Sequence, residues 1–245
     1  MRSNSKPDGG AGLLELRANP LCVALDFDDP GRCLRVARAT AFAGAQKIGL
    51  TAFSAGGPDL VRNVVALSPV FLDLKLHDIP AQVEGAVTSV GELGVSYTTV
   101  HAAGGVDMMR ASADAAGDGL MVLAVTVLTS LSREDLKSAG VDASPLDQVL
   151  RLVELALDAG VDGIVCSPLE VSAIRGRWGA RSEGGPLLVV PGIRPSGSAA
   201  DDQKRTLGPR EAVEAGADLL VVGRPITRAP DPARAARDIL GEMGA

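Results

Sequence analysis

At 245 residues the chain is long enough for one large domain or two small ones. Hydrophobic residues make up 46% and aromatic residues only 2%, so the core must be built from Val, Leu, Ile and Ala, as buried parallel sheets often are. A formal net charge of −6 argues against a nucleic-acid backbone as the main partner, and any phosphate site must come from a few local cations and backbone N–H groups.

Short β-rich runs alternate with longer amphipathic stretches along nearly the whole chain. In order, the runs are Leu21 to Phe27, Ala45 to Leu50, Val70 to Leu76, Tyr97 to His101, Met121 to Val127, Asp162 to Cys166, Leu187 to Pro191 and Asp218 to Gly223. Helices are predicted between them, including Pro30 to Thr40, Ala81 to Leu93, Pro145 to Ala159 and Pro209 to Ala215. Gly160 and Gly216, each just past a helix, fit left-handed C-terminal caps. Eight strands, each followed by a helix, predict an α/β fold, a (β/α)₈ TIM barrel. Pattern alone also admits a doubly wound open sheet. No low-complexity linker divides the chain, so residues 19–245 are read as one domain behind a loose N-terminal tail, residues 1–18.

Cys22, Cys33 and Cys166 are scattered and odd in number, which predicts reduced core thiols rather than a disulfide scaffold. His77 and His101 are the two histidines, without a zinc-binding spacing, so no metal is expected. No apolar run reaches transmembrane length, and the first twenty residues lack the apolar core of a secretory signal. These features predict a soluble cytoplasmic protein with neither a membrane nor a nucleic acid as partner.

Barrels of this type place their sites at the C-terminal ends of the strands. Polar residues cluster there: Asp26, Lys47, Asp73, Lys75, His101, Thr129, Ser167, Arg194 and Arg224. The third run is the densest, from Phe71 through Asp73, Lys75 and Asp78 to Ile79 and Pro80. Residues two apart on a strand share a face, so Asp73 and Lys75 should point one way and Leu74 the other. Charges this close lose hydration unless they pair, and chemistry is a common reason for such an arrangement. Runs seven and eight end in Pro191-Gly192-Ile193-Arg194 and Gly223-Arg224-Pro225. Loops after these two strands often bind phosphate. Gly192 and Gly223 allow an anion close to the backbone, and Arg224 offers a bidentate fork. The polar stretch from Arg194 to Leu207, with Gln203, Lys204 and Arg205, is readable as a solvated connection or as a lid over a ligand.

The run Asp73-Leu74-Lys75-Leu76-His77-Asp78-Ile79-Pro80 resembles the signature of the orotidine 5′-phosphate decarboxylase family. The resemblance extends from about Asn19 to Thr227. It takes in Leu25-Asp26-Phe27, Lys47-Ile48-Gly49, Val100-His101-Ala102-Ala103-Gly104-Gly105 and Val127-Leu128-Thr129-Ser130. It implies conversion of orotidine 5′-monophosphate to UMP and CO₂, the last step of de novo pyrimidine nucleotide synthesis, without a cofactor. It further implies a catalytic array of Lys47, Asp73, Lys75 and Asp78, with Lys75 as proton donor. Asp26 would meet the ribose and Thr129 the pyrimidine. Ile79 and Pro80 would join the substrate contacts. Gly192, Arg194, Gln203, Gly223 and Arg224 would hold the phosphate, with Arg194 and Gln203 on the lid. In the family the second aspartate comes from the neighbouring subunit, so Asp78 implies a homodimer with shared sites. Ala81-Gln82 departs from a bulkier polar residue in many relatives, with an expected effect on the dimer contact.

Three other readings share these features. A sugar-phosphate enzyme of the same superfamily uses the Asp-x-Lys-x-x-Asp core with a metal. A Schiff-base aldolase would use Lys75, although flanking carboxylates favour its charged form. A nucleotide-phosphate sensor would keep Arg224, Gly223 and the lid but has no need of the charged array.

Overall fold

The computed structural model describes residues 19–194 and 207–244. Among them eight parallel strands close into a barrel in sequence order, β1 to β8, with β8 pairing back onto β1. The strands are β1 (Leu21–Ala24), β2 (Ala45–Gly49), β3 (Val70–Leu76), β4 (Tyr97–His101), β5 (Met121–Val125), β6 (Gly163–Val165), β7 (Leu187–Pro191) and β8 (Leu219–Val222). The closed barrel replaces the open-sheet alternative. Five strands are shorter at their C-terminal ends than the apolar runs suggest: β1, β2, β5, β6 and β8. There the chain leaves the ladder to form the upper rim, which puts Asp26 beyond β1 and Gly223 beyond β8. β6 and β8 are trimmed at both ends of their runs.

The helices that follow the first three strands are α1 (Pro30–Ala39), α2 (Leu50–Val65) and α3 (Pro80–Gly91). The helix α2 is interrupted at Gly57, where φ is 57°, just before Pro58. The helix α3 begins one residue earlier than the sequence suggests. Pro80 occupies its first turn, where a missing N–H leaves nothing unsatisfied. Gly160 and Gly216 adopt φ values of 82° and 105°, as a left-handed cap requires.

Strand alternation divides the core into two clusters. Leu21, Val23, Val70, Leu72, Val122, Leu188 and Leu220 face outward and pack beneath the helices. Cys22, Ala45, Phe71, Tyr97, Leu123, Leu187, Val189 and Leu219 form a separate cluster inside the barrel. Phe71 and Tyr97 meet edge to face there, ring centroids 6.2 Å apart. Gly163 admits the close approach of neighbouring strands, since a Cβ at that position would lie 2.7 Å from the Leu187 carbonyl oxygen. One step further along β2, β3 and β4 the interior changes from apolar to polar. Ala45 gives way to Lys47, Phe71 to Asp73 and Tyr97 to Thr99, each two residues on. The side chains of Lys47 and Asp73 are thereby carried into a largely buried position above an apolar floor.

Candidate active site

Strand β3 does not keep regular register with β4. Leu72 pairs with Thr98, but Leu76 pairs with Val100. Asp73, Leu74 and Lys75 thus occupy the stretch opposite the single residue Thr99. A bulge of this kind bends the strand and re-aims a side chain, as is common beside active sites. Lys75 has φ of 52°, the one positive value at a non-glycine among the described residues. For an L-residue this conformation costs roughly 1–2 kcal/mol. Lys75 and Asp73 do face each other, but a bulge rather than plain alternation brings them together. Leu74 packs against the outer core.

The Lys75 ammonium lies 2.7 Å from both Asp73 carboxylate oxygens. Lys47 Nζ stands 3.7 Å from Asp73 Oδ2 and donates to Asp26 Oδ1 at 2.8 Å. The result is an alternating row, Asp26, Lys47, Asp73, Lys75, assembled from β1, β2 and β3. Its middle is dry: the side chains of Lys47 and Asp73 are 11% and 9% exposed, against 53% for Asp26. A Cβ at position 49 would come within 2.8 Å of both Asp26 Oδ1 and Lys47 Nζ, so Gly49 leaves the space in which that pair forms.

Burial pushes the Asp73 carboxyl up. The charges of Lys47 and Lys75, with hydrogen bonds from Lys75 and Thr99, outweigh it and hold the group below its ordinary value. Burial likewise pulls Lys47 down, and the opposing charges of Asp26 and Asp73 leave it above its ordinary value. Both groups are therefore ionised at neutral pH. At the end of β4, His101 is pulled down by burial and then by His77 and Lys75. The two imidazoles sit 5.6 Å apart.

The row forms one wall of a cavity of about 270 Å³ at the C-terminal ends of the strands. That is close to the small end of ligand sites, about 300–1,000 Å³. Asp26, Lys47, Asp73, Lys75, Thr129, Gly192, Arg194, Gly223 and Arg224 all line it. Val125, Val127, Val165 and Pro191 supply an apolar surface between the charged row and the two arginines. A flat ring could lie on that surface with a phosphate toward Arg194 and Arg224. Gly192 has φ of 85°, which only glycine adopts readily. Arg194 Nη1 donates to the Ile193 carbonyl oxygen at 3.1 Å, while Nη2 is buried with no hydrogen-bond partner among the described residues. An unsatisfied buried guanidinium N–H in a residue that lines a cavity is a donor available to an acceptor there. Arg194 N–H also donates to the Leu207 carbonyl oxygen at 2.9 Å, so the two ends of the β7 loop meet beside the cavity. Gln203, Lys204 and Arg205 lie outside the described residues.

Asp78, Ile79 and Pro80 are not brought to this cavity within the single chain. All three are exposed, Ile79 at 64%, and the Asp78 side chain accepts from the Ile79 N–H at 2.7 Å. The fourth charge of the row in this chain is Asp26. Besides the apolar lining, two contributors escaped the sequence reading. Cys166, taken as a packed thiol, lines the cavity. Thr99 is buried and bonds both Asp73 and Lys75. The one available signal was a hydroxyl pair, Thr98-Thr99, in an otherwise apolar strand. Among the described residues no group of three or more His, Cys, Asp or Glu is arranged to hold a metal ion. Nor is any helix among them long and apolar enough to cross a membrane.

Fold and site together define a (β/α)₈-barrel enzyme with a dry lysine–aspartate row facing a cationic, glycine-lined pocket. The sequence profile of the Orotidine 5′-phosphate decarboxylase / HUMPS family matches residues 19–239. A relative from Anaeromyxobacter dehalogenans named orotidine 5′-phosphate decarboxylase is 54% identical over 221 residues, covering 89% of this chain and 96% of the relative. One of the same name from Erythrobacter litoralis is 48% identical over 225 residues, covering 91% and 98%. The crystal structure of orotidine 5′-phosphate decarboxylase from Lactobacillus acidophilus superposes with a TM-score of 0.81 at 35% identity, covering 93% of this chain and all of that one. The chain belongs to the Orotidine 5′-phosphate decarboxylase / HUMPS family.

Proposed function

We propose that this barrel decarboxylates orotidine 5′-monophosphate to UMP and CO₂, the last step of UMP synthesis, with Lys75 as the proton donor. The family description joins two names. The relatives near 50% identity carry only the decarboxylase name, which weighs against the sugar-phosphate reading. The observation that carries the assignment is the placement of Lys75. Its ammonium is clamped by Asp73 on one wall of a cavity that also holds Arg194 and Arg224.

The C6–carboxylate bond breaks, CO₂ leaves, and its electron pair stays on C6. Lys75 Nζ transfers a proton to C6, and the resulting amine regains one from water. The pair on C6 lies in an orbital that the ring cannot delocalise well, so the barrier must fall by about 20 kcal/mol. General acid catalysis supplies about 10²–10⁴-fold, which is far too little by itself. Fixed charge must supply most of the remainder. Asp73, ionised and dry, stands opposite the substrate carboxylate and becomes less opposed as CO₂ departs. Lys75 gains as negative charge builds on C6. Lys47 holds Asp73 and Asp26 in place, and Asp26 takes the ribose hydroxyls. Thr129 meets the pyrimidine, while Gly192, Arg194, Gln203, Gly223 and Arg224 take the phosphate. Binding at that remote group helps align the ring, so non-reacting contacts contribute to the rate.

Asp78 completes the array from a second copy of the chain, in a homodimer with shared sites. Its exposed position beside Ile79 and Pro80 supports that reading. A cytoplasmic location is part of the same proposal. Turnover is tested by following the loss of orotidine absorbance without added metal; binding without turnover would leave the sensor reading. Sharing is tested by mixing Asp78→Asn with Lys75→Ala. At random exchange half the dimers are mixed and one of their two sites is intact, so about a quarter of all sites should recover. No recovery despite verified exchange would place Asp78 in its own chain's site or outside the chemistry.

A further inference from the structure

Strand β4 contributes no cavity-lining side chain, yet it touches the reacting row at one point. The Thr99 hydroxyl donates to Asp73 Oδ1 at 2.9 Å and accepts from the Lys75 backbone N–H, also at 2.9 Å. Thr99 is fully buried. Its position opposite the bulge is the place where regular pairing between β3 and β4 is interrupted. The Lys75 N–H, left there without its ladder partner, would be a partly buried, unsatisfied donor on the strained residue itself. The single hydroxyl accepts from that N–H and donates a hydrogen bond to the carboxylate that clamps the Lys75 ammonium. Backbone and side chain of the same lysine are thereby tied to one oxygen atom.

We propose that Thr99 is a positioning residue for the decarboxylation, a latch that holds the positive-φ turn at Lys75 and the Asp73 carboxylate in one geometry. It acts through those two groups and does not touch substrate. The proposal rests on the decarboxylase reading, with Lys75 and Asp73 as the reacting pair. Valine has nearly the shape of threonine but can neither donate nor accept. In Thr99→Val the Lys75 N–H loses its partner, Asp73 Oδ1 keeps Lys75 but loses its second donor, and Lys75 is free to leave the strained conformation.

Small displacements of a reacting group lower rates by about 10²-fold. The experiment compares kcat, KM and UMP affinity in wild type, Thr99→Val and Thr99→Ser, with circular dichroism to confirm folding. The expected result is a fall in kcat of about 10- to 100-fold in Thr99→Val with KM within about threefold, and recovery of most of the rate in Thr99→Ser. The acid limb of kcat/KM gives a second readout. Asp73 is faced by Lys47 from β2, Lys75 from β3, Cys22 from β1 and, at the end of β4, His101. The variant leaves these charges in place but removes the hydrogen bond from Thr99, which favours the ionised carboxylate, and loosens the Lys75 clamp, which acts in the same direction. The acid limb should therefore move to higher pH in Thr99→Val and stay in place in Thr99→Ser. Thr99→Ala, which introduces no bulk, carries the same comparison if the valine variant does not fold. Wild-type kcat in a folded Thr99→Val protein overturns the proposal, as does an equal loss in the valine and serine variants. Absence of turnover in the wild type would instead overturn the decarboxylase reading itself.

Discussion

The floor and the rim of the barrel interior are built from the same strands and obey opposite rules. On the floor, Cys22, Ala45, Phe71, Tyr97, Leu123, Leu187 and Leu219 pack as an apolar layer in regular register. Two residues further along β2 and β3, Lys47 and Asp73 are carried into similar dryness, and β3 loses its register to seat Lys75. The floor gains stability from every contact. The rim keeps buried charges, a bulge and a strained lysine, features that become stable only as a set. The rim can tolerate this because the ring of strands beneath it is already closed, so the folding free energy comes largely from elsewhere.

The widest separation between the two regions should come from Lys75→Ala. Turnover should fall by at least about 10⁴-fold, since charge stabilisation and the proton are lost together, while UMP affinity changes by less than about tenfold. Stopped assays with UMP titration check both numbers. Near-wild-type turnover in the folded variant would remove Lys75 from the mechanism. The opposite pattern is expected on the floor. Leu123→Ala should destabilise the protein by about 2–5 kcal/mol in denaturant titration, with kcat per folded molecule unchanged. A large fall in kcat there would mean that floor and rim are not separable.

At the far end of the cavity, Arg224→Ala should lower kcat/KM by about 10- to 100-fold, the value of one charge-assisted phosphate contact. Steady-state kinetics reads it, and an unchanged kcat/KM would count against a phosphate at Arg224. The smallest effect isolates backbone strain at the rim. Both Lys75→Gly and Lys75→Ala remove the ammonium, but only glycine accepts φ of 52° without penalty. The glycine variant should be the more stable of the two by about 1 kcal/mol in paired melts. A more stable alanine variant would mean that the turn relaxes once the lysine is gone.

Much of this arrangement was legible from the chain. β3, β4 and β7 begin and end where the apolar runs do, because period-two alternation and flanking turn residues act locally. The order of strands followed as well, since alternating strand and helix leave few ways to close a parallel sheet. Nine of the thirteen residues proposed for the site line one cavity, because the fold itself collects strand ends. The limits are equally physical. Asp26 and Lys47 are 21 residues apart, and no local pattern says that their charges meet at 2.8 Å. Thr99 looked like any hydroxyl in a strand until the bulge across from it left a backbone N–H to satisfy. Asp78 sits just past the end of β3, yet the turn into α3 leaves it exposed. Sequence determined which residues could carry charge at the rim, through local period and residue type. Tertiary structure decided which of them face one another, because that depends on the register between strands distant in the chain.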